Sequence, residues 1–410
     1  MKVTKKLLKA LLFIFLVCYC SIIAINILTH QDIYQWDFKA YYYAAKTFVL
    51  GHNPYDAECI SEVSGSVIYY GYPYPPLTIL FFELFLPLGY NNAFFIFFCL
   101  NCILLASVFL IWKNKFIGKG SVYLFFIFCL LVFNSTINLG LRAGNFAICE
   151  QFLLWCAFAL FLENKLFLFS LLIVVAASFK IQPIMFLFIL LATDDKNKYF
   201  YFVWSFLVFF VILSLSYVLH PTFFHEFLKY VSKIDEKEIT NPATLVLIKN
   251  LLAMCENNFG LILPKITGFI IYVIVVISLV VLSMRSFKLI KYIGLEKKKM
   301  LIFLSCLLYA LTIPRFKDYS YMLLIVPTYY IIIKTNCVKA FTLFFILTII
   351  SAQYVTLPGL TVVYYFLWKY YPLLIAYFIF GVYLCEIAQM YRKEMLDSGK
   401  PALQLSKTQV

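Results

Sequence analysis

Charge is what this sequence has least of. Only 13% of its 410 residues are Asp, Glu, Lys or Arg, while 64% are hydrophobic and 20% aromatic, and that charge density is about half what a soluble domain carries. A water-soluble globule is excluded: apolar runs of bilayer-spanning length recur from the N-terminus to within about 20 residues of the C-terminus. Metal-ligand spacing is also missing. Most of the 12 cysteines sit inside apolar runs, as Cys18, Cys99, Cys129 and Cys306 do, and none shows a zinc-type pattern. There is no P-loop. No internal repeat is found and ionisable residues are nearly absent from mid-span, which weakens the case for a secondary transporter. The 34 Lys and Arg against 20 Asp and Glu give a net +14. In a soluble chain that would suggest nucleic acid, but here the charges fall between apolar runs and act as a topology signal, so no nucleic-acid partner is expected.

What is present is a succession of spans. The pattern predicts an all-α polytopic membrane protein, a single integral-membrane domain over residues 1–410 with about 12 transmembrane helices. The candidates are residues 7–28, 93–112, 122–137, 146–162, 166–178, 184–191, 199–219, 266–284, 301–313, 321–333, 340–352 and 371–387. The first has the basic head of a signal peptide but is too long and lacks a small-residue cleavage site, so it reads as an uncleaved span. Residues 77–88 start after Pro75-Pro76 and stop at Pro87, a length that suits an interfacial or re-entrant helix. With that segment demoted, the Lys clusters all land on one face, which is cytoplasmic by the positive-inside rule. Both termini are then inside, with a cytoplasmic tail over 389–410. Two long loops, 30–92 and 220–265, face outward together with all four histidines.

The outer face holds the informative residues. After the first span, Phe38, Tyr41, Tyr42, Ala45, Phe48 and Val49 fall at helical spacing before Gly51, which predicts an amphipathic helix lying on the bilayer. Asp37 opens it, either as an N-cap or as a reactive carboxylate at headgroup depth. The stretches Gly51-His52-Asn53-Pro54-Tyr55-Asp56 and Tyr72-Pro73-Tyr74-Pro75-Pro76-Leu77 follow, where prolines stiffen an extended approach to the membrane. Arg142, Lys180, Arg315 and Lys317 break the positive-inside pattern at outer span ends. A cation at membrane depth costs a few kcal/mol unless paired. It pairs with Asp318, Glu150 or loop carboxylates, or it holds an anion, for which a phosphate headgroup suits converging Arg and Lys. Cys59 and Cys255 are the cysteines of the two long loops; two free thiols are expected, with a bridge over the site as the alternative on an oxidising face.

The order of these pieces resembles glycosyltransferase family 87, bacterial integral-membrane mannosyltransferases that use polyprenol-phosphate-mannose and belong to the type C glycosyltransferase superfamily. The resemblance rests on Asp37-Phe38 with Tyr41-Tyr42 and Ala44-Ala45, Pro54-Tyr55-Asp56, Tyr74-Pro75-Pro76-Leu77, Gly144-Asn145, Lys180 with Gln182-Pro183, and Pro314-Arg315. Asn145 stands where the family commonly has Gln, and Tyr319 follows Asp318 where a His is common.

The resemblance implies a type C fold and an enzyme of the bacterial inner membrane with its active site on the non-cytoplasmic side. It would move a sugar, mannose by analogy, from a polyprenol-phosphate carrier to a glycolipid or glycan acceptor. The donor already carries its leaving group, so the protein must supply a base and cations for the developing phosphate charge. By resemblance Asp37 is the base, and Arg315, Lys180, Lys317 and Arg142 are the donor-phosphate cations. Tyr41, Tyr42, Tyr55, Asp56, Tyr74, Asn145, Gln182, Asp318 and Tyr319 line the substrate site. No cofactor is expected; a divalent ion between Asp37 and Asp56 would lack an evident third ligand. The reading of a different class is a lipid or solute transporter or flippase.

Overall fold

The computed structural model describes residues 2–31, 33–118, 122–233, 241–260, 263–264, 266–293, 296–334, 342 and 361–397. Among them there is no strand. They divide into two compact units, the first within Met1–Leu190 and Asp195–Asp235, the second within Leu191–Asp194 and Glu236–Val410.

The first unit opens with α1 (Lys2–Thr29), α2 (Trp36–Val49) and α3 (Ala57–Ser64). The short α4 (Ile79–Glu83) lies between the 3₁₀ turns Pro76–Thr78 and Leu86–Leu88, so the predicted interfacial segment is a broken, 13-residue apolar piece. At 1.5 Å per residue such a piece is too short to cross a bilayer. Next come α5 (Tyr90–Ile111), extended by a π-helical turn to Ile117, and α6 (Val122–Ala143). The latter is broken at Val132–Ser135, where Phe133, Asn134 and Ser135 take positive φ. Then follow α7 (Ala147–Leu162), α8 (Leu166–Phe179), the 3₁₀ helix Gln182–Ala192, α9 (Lys198–Leu219) and α10 (Pro221–Lys233).

The second unit contains α11 (Thr244–Phe259), α12 (Thr267–Ile290), α13 (Lys297–Thr312), the 3₁₀ helix Asp318–Leu324, α14 (Ile325–Lys334) and α15 (Thr361–Asp397). The long second outer loop of the sequence reading is thus largely helical, built of α10 and α11. The predicted span 340–352 lies outside the described residues except for residue 342.

Among the described residues, five helices are long and apolar enough to cross a membrane: Tyr90–Ile117, Val122–Ala143, Lys198–Leu219, Thr267–Ile290 and Trp368–Leu396. The apolar helices Ala147–Leu162, Leu166–Phe179 and Gln182–Ala192 have 16, 14 and 11 residues, below the usual crossing length.

One expectation is corrected here. The apolar face of α2 does not lie open to the bilayer: Phe38, Tyr41, Tyr42 and Ala45 are buried inside the first unit, with only Val49 of that stripe exposed. Phe38 stacks on Phe97 of α5 at 4.3 Å and meets Phe85 edge-on at 5.6 Å, and Tyr41 packs on Phe82 of α4 at 4.9 Å. Aromatic pairs in these geometries add about 0.5–1.5 kcal/mol each beyond area burial. The periodicity identified the residues that share a face; what covers that face is protein.

Candidate functional site

Asp37 occupies the second position of α2. The N-cap is Gln35, in a left-handed conformation (φ 53°, ψ 39°), so of the two roles the sequence left open for Asp37, the N-cap is excluded. The residue is 8% exposed, and its carboxylate takes a hydrogen bond at each oxygen: the Tyr70 hydroxyl donates to Oδ1 at 2.6 Å and the Asn145 amide to Oδ2 at 2.6 Å. Bonds to an ionised acceptor are worth about 1.5–3 kcal/mol each, which offsets the cost of burying the charge.

The network continues behind Asn145. Its Nδ2 also donates to the Tyr41 hydroxyl at 2.8 Å, and Tyr41 and Tyr74 hydroxyls are 3.0 Å apart. Tyr41 lies one turn after Asp37, on the same helix face. Tyr55 donates to the Tyr74 carbonyl at 3.0 Å. Burial raises the Tyr55 and Tyr72 phenols well above their usual range, so both are neutral donors. The Tyr72 and Thr78 hydroxyls lie 2.8 Å apart. Thus Asp37, Tyr41, Tyr55, Tyr74 and Asn145, quoted from separate stretches of sequence, form one connected cluster. Tyr42 departs from it, donating to the Leu86 carbonyl at 3.4 Å and packing on Tyr43 and Tyr90.

Two glycines let the backbones come this close. Gly144 has φ +61°, and a Cβ there would lie 2.8 Å from Gln35 Cβ and 3.1 Å from Gln35 Cα. The Gln35 N–H donates to the Arg142 carbonyl at 2.6 Å. The Leu141–Asn145 turn therefore sits directly on the N-terminus of α2. Asn145 Oδ1 in turn accepts from the Ala147 N–H at 2.8 Å, tying the first turn of α7 to the same side chain. At Gly71 a Cβ would fall 2.2 Å from the Tyr55 carbonyl oxygen, and the adjacent Tyr72 N–H donates to the Pro54 carbonyl at 2.9 Å. That contact delivers Tyr70 to Asp37.

The other candidates of this unit have identifiable surroundings. Lys180, just past α8, forms an ion pair with Glu150 of α7 at 2.5 Å, the two side chains 16% and 6% exposed. The Arg142 guanidinium lies over the Tyr34 ring at 5.1 Å, and its Nε is buried with no hydrogen-bond partner among the described residues. Asp56 caps α3, accepting from the Glu58 N–H at 3.0 Å. Cys59 donates to the other Asp56 oxygen at 3.7 Å, and both Cys59 and Cys255 are free thiols, not a bridge. Gln182, half-buried, opens the 3₁₀ helix after Lys180. Among the described residues no group of three or more His, Cys, Asp and Glu comes together.

In the second unit, Arg315, Lys317, Asp318 and Tyr319 lie on the connection between α13 and α14, all half-buried. This connection is pinned by the segment before α11: the Phe316 N–H donates to Asn241 Oδ1 at 2.9 Å and the Tyr321 hydroxyl to the Pro242 carbonyl at 2.8 Å. Phe316 packs edge-on against Tyr321 at 4.8 Å. Burial pushes the Asp318 carboxyl up to about 8, opposed by the charges of Lys317 and Lys369. Lys369, on α15, is 5% exposed.

Sequence reasoning missed two of these residues. Tyr70 carried no signal beyond its tyrosine-rich surroundings. Lys369 did carry one: a lone lysine just before the last apolar run, which under the topology expected from the sequence is the same break of the charge rule that singled out Arg315.

Comparison with known proteins adds one finding. Neither the curated proteins nor the solved structures contain a match. A family model described as glycosyltransferase family 87 matches residues 72–313, more than half of the chain. That stretch includes Tyr74, Asn145, Lys180 and Gln182; Asp37 precedes it and Arg315 follows it. The buried, hydrogen-bonded carboxylate and the helical, membrane-type architecture thus belong to a chain of known kinship: it is a member of glycosyltransferase family 87, a membrane glycosyltransferase.

Proposed function

We propose that this glycosyltransferase moves a sugar, mannose by analogy with its family, from a polyprenol-phosphate carrier to a glycolipid or glycan acceptor on the outer face of a bacterial inner membrane, with Asp37 as general base. One observation carries this reading: Asp37 is nearly buried, yet each of its carboxylate oxygens accepts a hydrogen bond, the arrangement that keeps a carboxylate ionised away from water. In the transfer step the acceptor hydroxyl oxygen attacks the sugar C1 and its proton passes to Asp37. The bond from C1 to the carrier phosphate oxygen breaks, and the electron pair leaves with the polyprenol phosphate. A single displacement of this kind inverts the configuration at C1.

For the leaving phosphate, the cations proposed in the first unit are Lys180 and Arg142; the second unit, taken by itself, carries Arg315 and Lys317 as the candidates that the family resemblance implies. Arg142 gains support from its unpartnered Nε, since guanidinium donors match phosphate oxygens. Lys369 joins the second set through its burial beside Asp318. The Glu150 partner of Lys180 argues for a structural share in that residue's role.

The test is to incubate the purified protein in lipid with a panel of polyprenol-phosphate sugars and to follow free carrier phosphate by mass spectrometry. Loss of sugar from one donor, with mannose preferred, supports the reading. Carrier that stays intact with every donor, in a preparation that moves a labelled lipid or solute across the bilayer, points to the transporter.

A further inference from the structure

The carboxylate of Asp37 is held by two side chains from two distant parts of the chain. Tyr70 reaches it from the extended segment that Gly71 presses against Tyr55, and Asn145 reaches it from the turn that Gly144 presses against Gln35. The Tyr70 hydroxyl bonds Oδ1 at 2.6 Å, and the Asn145 amide splits its two protons between Oδ2 of Asp37 and the hydroxyl of Tyr41 while its carbonyl is anchored by the Ala147 N–H. An Asn anchored at its oxygen cannot turn its amide away without losing that anchor, so the donor direction toward Asp37 is fixed.

We propose that Tyr70 and Asn145 are positioning residues for the transfer reaction: together they lock the rotamer of Asp37 and keep it ionised. This rests on the reading of Asp37 as the base. Neither residue touches donor or acceptor in this role. Each donor favours the charged form of the carboxylate, so removing one should make Asp37 easier to protonate and leave its orientation looser. Other charges lie on the elements around α2: Lys39 and Lys46 of the helix itself, Asp56, Glu58 and Glu62 at α3, Glu83 on α4, Arg142 on α6, and Glu150 with its partner Lys180. All are shared by the wild type and the variants below, so their influence cancels in the comparison.

The experiment is an infrared pH titration of the purified protein in lipid, with the Asp37 carboxyl band assigned by its loss in Asp37→Asn. Two variants are read against the wild type. Tyr70→Phe keeps the ring and deletes the donor. Asn145→Asp keeps the shape and the acceptor for the Ala147 N–H, but turns a charge toward Asp37. The expected result is an upward shift of the Asp37 midpoint of about one pH unit in Tyr70→Phe and a larger one in Asn145→Asp, where two carboxylates share a site. With polyprenol-phosphate-mannose as donor and the membrane's own lipids as acceptor source, turnover by Tyr70→Phe should fall about ten-fold at an unchanged donor KM, because a looser base alters the chemical step and not the donor contacts.

An Asp37 midpoint in folded Tyr70→Phe that coincides with the wild type overturns the proposal. So does a rise in donor KM at unchanged kcat. Should Asp37→Asn retain full turnover, the base assignment fails instead, and the infrared midpoint still decides separately whether Tyr70 and Asn145 control the carboxylate.

Discussion

Replacing Gly144 by Ala tests how the site is assembled. Gly144 is in the left-handed region, and its missing Cβ leaves the space that Gln35 fills, with Gln35 Cβ, Cγ and Cα at 2.8, 2.9 and 3.1 Å from where the methyl would sit. Two costs add. The left-handed backbone disfavours Ala by about 1–2 kcal/mol. Forcing a methyl against Cα and Cβ atoms, which have no rotamer to escape into, costs about 1–3 kcal/mol more. Gln35 cannot simply retreat, because its N–H is held by the Arg142 carbonyl at 2.6 Å and its side-chain amide reaches the Phe94 carbonyl at 3.4 Å.

The strain is therefore passed to the first turn of α2, two residues before Asp37. If it breaks the bond from Asn145 to Asp37, the loss is about 1.5–3 kcal/mol, or roughly ten-fold or more in turnover if that bond serves the transition state. The control is Gly51→Ala. Gly51 has φ +79° with nothing within 4 Å of the added Cβ, so it carries the backbone cost alone. Thermal inactivation in detergent and turnover are measured for both. Gly144→Ala should lose about 2–5 kcal/mol and most of its activity, whereas Gly51→Ala loses about 1–2 kcal/mol. Equal stability and equal turnover for the two variants would refute the proposed seating of the Gly144 turn on α2.

Two further outcomes are expected. Lys180→Met leaves the Glu150 carboxylate, 6% exposed, without its ion-pair partner, and should cost about 3 kcal/mol; adding Glu150→Gln should restore stability in thermal inactivation while donor KM stays raised, and recovery of both would assign Lys180 a purely structural role. Asp318 has its carboxyl pushed by burial from the ordinary value near 4 up to about 8, so the folded protein retains a proton that the unfolded chain gives up; stability should decline as pH rises from about 4 to about 8, and Asp318→Asn should flatten that slope, an unchanged slope in thermal inactivation across the window counting against the burial.

How much of this was legible in the sequence depends on the kind of signal each residue carries. α2 was readable because six apolar residues fall at helical spacing before a glycine, and Asp37 because it opens that helix. The role of that apolar stripe was not readable: periodicity says which residues share a face, and only the tertiary fold decides whether lipid or Phe82, Phe85 and Phe97 cover it. Whether Asp37 caps that helix was left open, because Gln35, the actual cap, adopts a left-handed conformation that its residue type does not announce. Gly144-Asn145 stood out as a pair, yet their separate tasks depend on a contact across more than one hundred residues, with the glycine admitting Gln35 and the amide holding Asp37. Asp56, paired with Asp37 in the sequence reading, spends its carboxylate on the N-terminus of α3, a role Asp fills readily. Tyr70 is one of several tyrosines between residues 69 and 74, and nothing but the fold selects it.

The central claim is that Asp37 accepts the proton of the acceptor hydroxyl. Asparagine at position 37 preserves size and lets Tyr70 and Asn145 keep polar neighbours, so the protein should fold and retain its donor affinity. Its turnover with polyprenol-phosphate-mannose should fall by roughly two to four orders of magnitude, the usual contribution of a positioned base. Measuring that turnover for folded Asp37→Asn decides the matter most directly. Retention of most of the wild-type rate, with Asp56→Asn or Asp318→Asn abolishing it instead, would contradict the account.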